Sequence, residues 1–236
     1  MIEKLKMSIK NNLLKIQSTL PSNVTLVAVS KTKPIADLME AYDAGQRIFG
    51  ENKIQEMSEK QEHMPKDIQW HMIGHVQTNK VKFMAEYVSL IHGVDSLKLA
   101  QEINNQAKKH NRIIDCLLQI HIAEEETKFG LNEKELNEIL HYVQHDKLEN
   151  IKIVGLMGMA TFTDNQNQIK KEFLHLKSIF DTTNSLSIIT RGKTERSEAN
   201  YQLSIISMGM SGDYQLAIEC GSTMVRIGSS IFGGRI

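Results

Sequence analysis

Lys31 is the residue best placed in this sequence for covalent chemistry. It follows an apolar, valine-rich run at 26–29 that predicts a buried strand. Pro34 comes three residues later, where it ends strand pairing and suits the first turn of a helix. Partial burial at such a strand end favours the neutral amine, which is a nucleophile toward carbonyl groups. The alternative for Lys31 taken alone is a lysine that only marks the end of a strand.

Two runs of small residues follow the last two predicted strands. Ser207 and Ser211 lie in the first run, and Gly228 and Ser229 lie in the second. Small residues let backbone N–H groups approach an anion closely, so two such loops side by side predict a cradle for a phosphate monoester. Each loop alone is equally compatible with an ordinary tight turn.

Arg226 lies inside the eighth apolar run and must have a partner, because its charge cannot be removed by proton loss. The partner is either a carboxylate such as Glu219 or Glu51, or a ligand atom at the mouth of a barrel. A reactive lysine, a phosphate cradle and a fixed cation together suit pyridoxal 5′-phosphate, with the arginine facing the pyridine nitrogen and weakening its electron withdrawal. Asn52 is a further candidate ligand of the cofactor, and His71 is interpreted as a packed core residue.

These candidates need a scaffold that brings strand ends together. Eight short apolar runs alternate with helical patterns, which predicts parallel βαβ units and a single α/β domain, a (β/α)8 TIM-type barrel spanning 1–236. The alternative is an open doubly wound sheet, disfavoured by the lack of a Gly-x-Gly-x-x-Gly after the first strand. The polar segment 184–202 is interpreted as a solvated connection. The expected helices are at 2–18, 34–45, from about Thr78, 97–110, 133–145, 166–182 and 213–220.

Composition narrows the class of protein. The 28 basic and 28 acidic residues cancel, so no global charge indicates nucleic acid or a membrane surface as partner. The two cysteines are predicted to be reduced thiols, and no histidine has metal-ligand spacing, so no metal is expected. The amino terminus lacks the pattern of a signal peptide and no run is long enough for a membrane span, so a cytoplasmic location is expected.

Several ordered motifs resemble a known family, the YggS/PROSC family of pyridoxal phosphate homeostasis proteins. The resemblance covers nearly the whole chain, with His75 standing where a proline is expected. The motifs are 27–34 (Val-Ala-Val-Ser-Lys-Thr-Lys-Pro), 49–52 (Phe-Gly-Glu-Asn), 70–74 (Trp-His-Met-Ile-Gly), 77–80 (Gln-Thr-Asn-Lys), 125–130 (Glu-Glu-Thr-Lys-Phe-Gly), 155–157 (Gly-Leu-Met), 207–211 (Ser-Met-Gly-Met-Ser) and 221–228 (Gly-Ser-Thr-Met-Val-Arg-Ile-Gly).

The resemblance implies a barrel like the N-terminal domain of alanine racemase. It implies a Schiff base on Lys31, Arg226 at the pyridine nitrogen, and Asn52 in the pocket. It also implies that the phosphate site is formed by Ser207, Ser211, Gly228 and Ser229. The family is thought to hold and deliver the cofactor and to balance vitamin B6 and amino-acid pools, with no established catalysis. Pyridoxal phosphate, amino acids and apo-enzymes that use the cofactor are therefore the expected partners of a monomeric protein.

Two enzymatic alternatives remain open. The first is an amino-acid racemase that uses the same imine, although racemases need a base on each face of the α-carbon. The chain ends soon after the eighth strand, so the second domain that supplies this base in related racemases is expected to be missing. No tyrosine follows a predicted strand near Lys31. The second alternative is a barrel that acts on a sugar phosphate, which would leave Lys31 unexplained unless it served an aldolase.

Overall fold

Eight parallel strands pair in chain order and close into a barrel in a computed structural model of the chain. The structure describes residues 8–125, 129–144, 148–190 and 202–234. Closure is made by β1 and β8, where Val27 lies opposite Arg226. This confirms the predicted (β/α)8 barrel and excludes the open sheet. The strands are β1 Thr25–Val29, β2 Ile48–Glu51, β3 Gln69–Met72, β4 Leu90–Val94, β5 Ile114–Gln119, β6 Ile151–Met157, β7 Ile205–Ser207 and β8 Met224–Ile227.

Helices follow the strands and cover the outside of the barrel. A 3-10 helix at Thr78–Phe83 takes this position between β3 and β4. The α-helices are α1 Ile9–Thr19, α2 Ile35–Asp43, α3 Ile54–His63, α4 Leu97–Lys109, α5 Glu133–Gln144, α6 Gln166–Thr190, α7 Tyr214–Glu219 and α8 Ser229–Phe232. Among the described residues, no helix combines the length and the apolar character that crossing a membrane requires.

Alternation along the strands creates two apolar cores, since successive strand side chains point to opposite faces. Phe49, Ile91 and Leu118 belong to the large core between strands and helices. Val27, Leu90 and Leu117 belong to a smaller core that fills the barrel itself. The barrel is therefore packed below its mouth, as is usual for this architecture.

Contacts at the closure join the first and last elements of the chain. The Asn12 amide on α1 donates to the Ile231 carbonyl on α8 at 3.0 Å. The Lys33 ammonium, just after β1, donates to the carbonyls of Phe232 and Gly234, each at 3.0 Å. These bonds anchor the end of the chain beside the loop that contains Lys31.

Most predicted helices are present, and several of their ends have the expected caps. Asn132 and Glu135 bond each other's backbone N–H groups at the start of α5, a reciprocal capping box. Gly45 has a φ of 100° after α2, a left-handed conformation that glycine adopts without strain. The first helix begins at Ile9 behind the N-cap Ser8, later than the predicted residue 2, and residues 2–7 lie outside the described part.

The prediction of a connection from residue 184 was wrong at its beginning, because α6 continues to Thr190. Residues 184–190 contain neither glycine nor proline, so nothing local ends the helix at 182. The Asn184 side chain also bonds the backbone N–H and carbonyl of Leu203, at 2.9 and 3.1 Å, and so fixes this part of the helix beside the entry to β7. Residues 191–201 of the predicted segment lie outside the described residues.

Candidate functional site

A cavity of about 600 Å³ opens at the carboxyl-terminal ends of the strands. Its lining comes from the loops that follow β1, β2, β3, β6, β7 and β8, which is the functional face of such barrels. Six of the seven predicted cofactor ligands line this one cavity: Lys31, Asn52, Ser211, Arg226, Gly228 and Ser229. Residues from opposite ends of the sequence therefore meet at one site.

Lys31 is half-buried at the mouth of the barrel, two residues beyond the end of β1. Val29 lines the same cavity, as expected for alternate residues on one face of an extended chain. The next residue, Thr32, has a φ of 65°, which is unfavourable for a β-branched side chain. The turn after β1 is therefore held in an unusual backbone conformation next to the predicted nucleophile.

Arg226 is almost fully buried in β8 and reaches the cavity from the barrel wall. Its Nη1 donates to the hydroxyl and the carbonyl of Ser207, at 2.7 and 2.9 Å, and its Nη2 donates to the Gly158 carbonyl at 3.2 Å. Neither Glu219 nor Glu51 is its partner in the described structure, so the ion-pair alternative fails for those two residues. Burial lowers the pKa of Arg226 to about 10, partly offset by Asp213, so the guanidinium remains charged at neutral pH.

Ser207 is buried behind Arg226, and the structure does not place it in the lining of the cavity. Its hydroxyl also lies 3.1 Å from Nδ1 of His92, whose Nε2 lies 3.1 Å from Nδ1 of His71. Burial lowers the pKa of His71 to about 3 and that of His92 well below its usual value, so both rings are neutral. The barrel core therefore contains a chain of neutral polar groups that ends at the arginine.

The role of His92 was missed by sequence reasoning. Histidines inside two consecutive apolar strands were the available signal, because adjacent parallel strands bring side chains on the same face together. His71 lies opposite Leu90 in the register of β3 and β4, two residues before His92. The interpretation of His71 as a buried core residue agrees with its position, although it packs against a second imidazole.

The two loops of small residues are adjacent, as the phosphate-cradle hypothesis requires. The Gly228 N–H donates to the Ser211 hydroxyl at 3.3 Å, which links the loop after β7 to the loop after β8. A side chain at Gly228 would meet the Val29 carbonyl at 3.1 Å, so the backbones of β8 and β1 come close here. Ser211 is half-buried, Ser229 is exposed, and both residues line the cavity.

Asp213 lies beside this cradle and accepts the Met210 N–H at 2.6 Å. Burial raises the pKa of Asp213, while the Met210 N–H and the charge of Arg226 act in the opposite direction. The carboxylate therefore fixes the loop after β7 and partly compensates the buried arginine. Asn52 directly follows β2 and also lines the cavity. Its backbone lies against Gly74, where an added Cβ would come within 2.5 Å of the Asn52 carbonyl oxygen.

The outer rim of the cavity is held by Glu172 of α6, which is nearly fully buried. Its carboxylate accepts the Thr161 N–H at 2.7 Å, the Thr161 hydroxyl at 2.8 Å and the Glu124 N–H at 3.2 Å. Burial alone would raise the pKa of Glu172, but these hydrogen bonds and one from Gln168 outweigh it and lower the pKa. One carboxylate thus joins the loops that follow β5 and β6.

Replacing Glu172 by glutamine should lower the free energy of unfolding at pH 7 by about 1.5–3 kcal/mol, the worth of hydrogen bonds to a charged group. The pKa of Glu172 is depressed in the folded protein. The stability that its carboxylate contributes is therefore present above the unfolded pKa of about 4.3, and it is lost as the pH falls through the pKa of the folded state. Urea unfolding from pH 7 to pH 3 should show the variant converging on the parent in acid. The matched control is Glu138→Gln at an exposed position on α5, and a constant difference at all pH values would contradict the prediction.

The model of the alanine racemase N-terminal domain family matches residues 6–236. A pyridoxal phosphate homeostasis protein of Aquifex aeolicus is 38% identical over 89% of this chain and 86% of its own length. One from Pasteurella multocida is 35% identical over 97% of this chain and 98% of its own length.

The chain belongs to the family of pyridoxal phosphate homeostasis proteins. Its fold is that of the alanine racemase N-terminal domain. The resemblance of the sequence motifs to this family is therefore confirmed.

Solved structures agree with this family. PipY of Synechococcus elongatus PCC7942 without PLP superposes with a TM-score of 0.86 at 32% identity, over 95% of this chain and all of PipY. The same protein with PLP bound gives a TM-score of 0.83. An alanine racemase from Clostridium difficile 630 shares the fold at 16% identity with a TM-score of 0.76, and the match covers 97% of this chain but 60% of the racemase.

Proposed function

We propose that this protein binds pyridoxal 5′-phosphate through an imine with Lys31 and serves in vitamin B6 and amino-acid homeostasis as a carrier or regulator. The observation that carries the proposal is the meeting of Lys31, Arg226 and the two linked small-residue loops in one cavity. The comparisons add that PipY, a relative at 32% identity, has been solved with PLP bound. We further propose that the single barrel suffices for binding.

The residues of the cavity fit this cofactor. When bound, the cofactor supplies an aldehyde that condenses with a lysine amine. Gly228 and Ser211 offer small side chains, a hydroxyl and a close backbone approach where a phosphate ester would lie. The Arg226 guanidinium is held by Ser207 and Gly158, and Arg226 is one of the residues that line the cavity. Asn52, which follows β2, adds an amide side chain to the residues that line the cavity.

A carrier role is favoured over racemisation by the groups available for proton transfer. Among the described residues that line the cavity there is no tyrosine, histidine or cysteine; besides Lys31, the titratable side chains are Lys33, Asp164, Asp213 and Arg226. Lys33 is bonded to the Phe232 and Gly234 carbonyls, and Asp213 to the Met210 N–H. A racemase needs a second base opposite the lysine. The proposed partners are therefore the cofactor itself, amino acids that react with it, and apo-enzymes that receive it.

The test combines binding and activity on the purified chain. Adding pyridoxal phosphate should produce the visible absorbance of an imine, and borohydride reduction followed by peptide mapping should place the cofactor on Lys31. Alanine and other amino acids should racemise no faster than with free cofactor. A chain that stays colourless, or that is trapped mainly at other lysines, would contradict the binding proposal. Racemisation well above the free cofactor would favour the enzyme.

A further inference from the structure

A buried charged cluster lies outside the barrel wall, behind Lys31. This cluster, here called the Lys60 cluster, consists of Lys60 and Glu56 on α3 and Glu51 at the end of β2. The Lys60 ammonium donates to Oε1 of Glu51 and Oε1 of Glu56, each at 2.7 Å, and to the Ser30 carbonyl at 2.9 Å. All three of its protons therefore have acceptors. Lys60 and Glu51 have almost no exposed surface.

The Lys60 cluster contributes little net stability for the charge that it buries. Burial of an ion pair costs desolvation energy that the attraction often fails to recover. The cluster has two carboxylates for one cation, and Oε2 of Glu51 has no hydrogen-bond partner among the described residues. Burial raises the pKa of Glu51 despite the nearby ammonium. Apolar side chains in place of a buried ion pair are often equally or more stabilising, so stability alone does not account for this cluster.

Both chain neighbours of Lys31 are bonded to this cluster. The carbonyl of Ser30 accepts from Lys60, and its hydroxyl donates to Oε1 of Glu51 at 2.6 Å. The Thr32 N–H donates to Oε1 of Glu56 at 2.5 Å. Thr32 is also the residue with a φ of 65°, a conformation that persists only where surrounding contacts impose it. The cluster supplies such contacts on either side of Lys31.

The alternation of side chains explains how this arrangement acts on the lysine. Ser30 faces outward toward the Lys60 cluster, whereas Val29 and Lys31 line the cavity. Holding the backbone at Ser30 and Thr32 from outside therefore fixes the direction in which the Lys31 side chain enters the cavity. The reacting amine and the charges that hold its backbone lie on opposite sides of the barrel wall.

We propose that Lys60 is a positioning residue, which holds the Ser30–Thr32 turn through Glu51 and Glu56 so that the Lys31 amine meets the aldehyde of the cofactor. This inference rests on the proposed function, because it concerns how Lys31 is presented to pyridoxal phosphate. Lys60 does not touch the cofactor. Its contribution is the placement of the Lys31 backbone before any ligand enters.

The first test is Lys60→Met, which keeps an unbranched side chain but removes the ammonium. Imine formation should slow by at least about tenfold, since a misplacement of about 1 Å of a reacting group can cost about a hundredfold. In the protein without cofactor, hydrogen exchange of the Thr32 amide should become about tenfold faster. This is the change expected when the free energy of local opening falls by about the worth of one hydrogen bond. The second measurement needs no bound cofactor.

A double variant separates positioning from stability. Glu51→Leu with Lys60→Met replaces the buried pair by apolar side chains, which should restore much of the lost stability. Slow imine formation should persist, because the Ser30 hydroxyl and carbonyl still lack their bonds to Glu51 and Lys60. The matched control is Arg112→Met, which removes a half-buried cation that donates to the Ala85 and Val88 carbonyls, each at 2.8 Å, away from the cavity. It should lower stability and leave imine formation and Thr32 exchange unchanged.

Three outcomes would overturn the proposal. The first is parental imine formation and Thr32 exchange in Lys60→Met. The second is an equal change in both quantities in Arg112→Met, which would make them consequences of lower stability. The third is recovery of fast imine formation in the double variant. If the parent itself forms no imine, the proposed function fails, while the Thr32 exchange rate still decides whether Lys60 holds the turn.

Discussion

Replacing Lys31 by alanine should abolish the imine absorbance and the borohydride-trapped product. The other lysine in the described lining is Lys33, whose ammonium is bonded to the Phe232 and Gly234 carbonyls. Affinity for pyridoxal phosphate should fall on the order of a hundredfold, or about 3 kcal/mol, with the loops and Arg226 supplying what remains. Absorbance titration and mass spectrometry after reduction measure both effects.

Lys15→Ala is the matched control for this experiment, since Lys15 is exposed on α1 and lies outside the cavity. It should bind and trap the cofactor as the parent does. Full absorbance in the Lys31 variant, or trapping that moves to another lysine without loss of affinity, would refute the assignment of Lys31 as the imine-forming residue.

The second large effect is expected at Arg226. Arg226→Met removes the guanidinium that donates to the Ser207 hydroxyl and the Gly158 carbonyl, and leaves these buried acceptors without that donor. The free energy of unfolding should fall by about 2–4 kcal/mol. Arg226→Lys keeps a charge but loses the planar fork that bonds Ser207 and Gly158 together, so its loss should be smaller. Denaturant unfolding of the cofactor-free proteins measures these differences.

Arg226→Glu tests the orientation of the arginine toward the cofactor. A cation beside a ring nitrogen disfavours its protonation, and a carboxylate favours it. In the folded variant, the absorbance of the bound cofactor should therefore shift. The pH at which the ring nitrogen loses its proton should rise. Arg226→Lys is the control with retained charge. An unchanged spectrum in folded Arg226→Glu would mean that Arg226 does not face the ring.

Much of the barrel was predictable because each strand is a short apolar run with clear limits. Pro34 and Gly45 bracket α2, and the apolar residues alternate between the two cores as a buried parallel sheet requires. The prediction ended α6 too early because the polar composition of the segment from 184 was given more weight than the absence of a helix-breaking residue in 184–190. The contact of Asn184 with Leu203, which holds this part of the helix beside β7, has no local signal in the sequence.

The candidate site was predicted in its main residues for a similar reason. Lys31 and Gly228 stand at strand ends, and the barrel brings all strand ends to one face. Ser207 was assigned to the phosphate site, whereas the structure places its hydroxyl between Arg226 and His92, so its predicted contact with phosphate remains a prediction. Lys60 carried no signal at all, because a lysine four residues after Glu56 on a helix usually forms an exposed pair.

The closure of the barrel between β1 and β8 has a consequence for biosynthesis. Lys31 follows the first strand and Arg226 lies in the last, so the two halves of the pocket are separated by almost the whole polypeptide. Pairs of such high sequence separation form slowly, and a chain emerging from the ribosome must expose the edge of β1 until β8 has been synthesised. The pocket is therefore incomplete before that point, and we expect the cofactor to be loaded only after β8 has paired with β1.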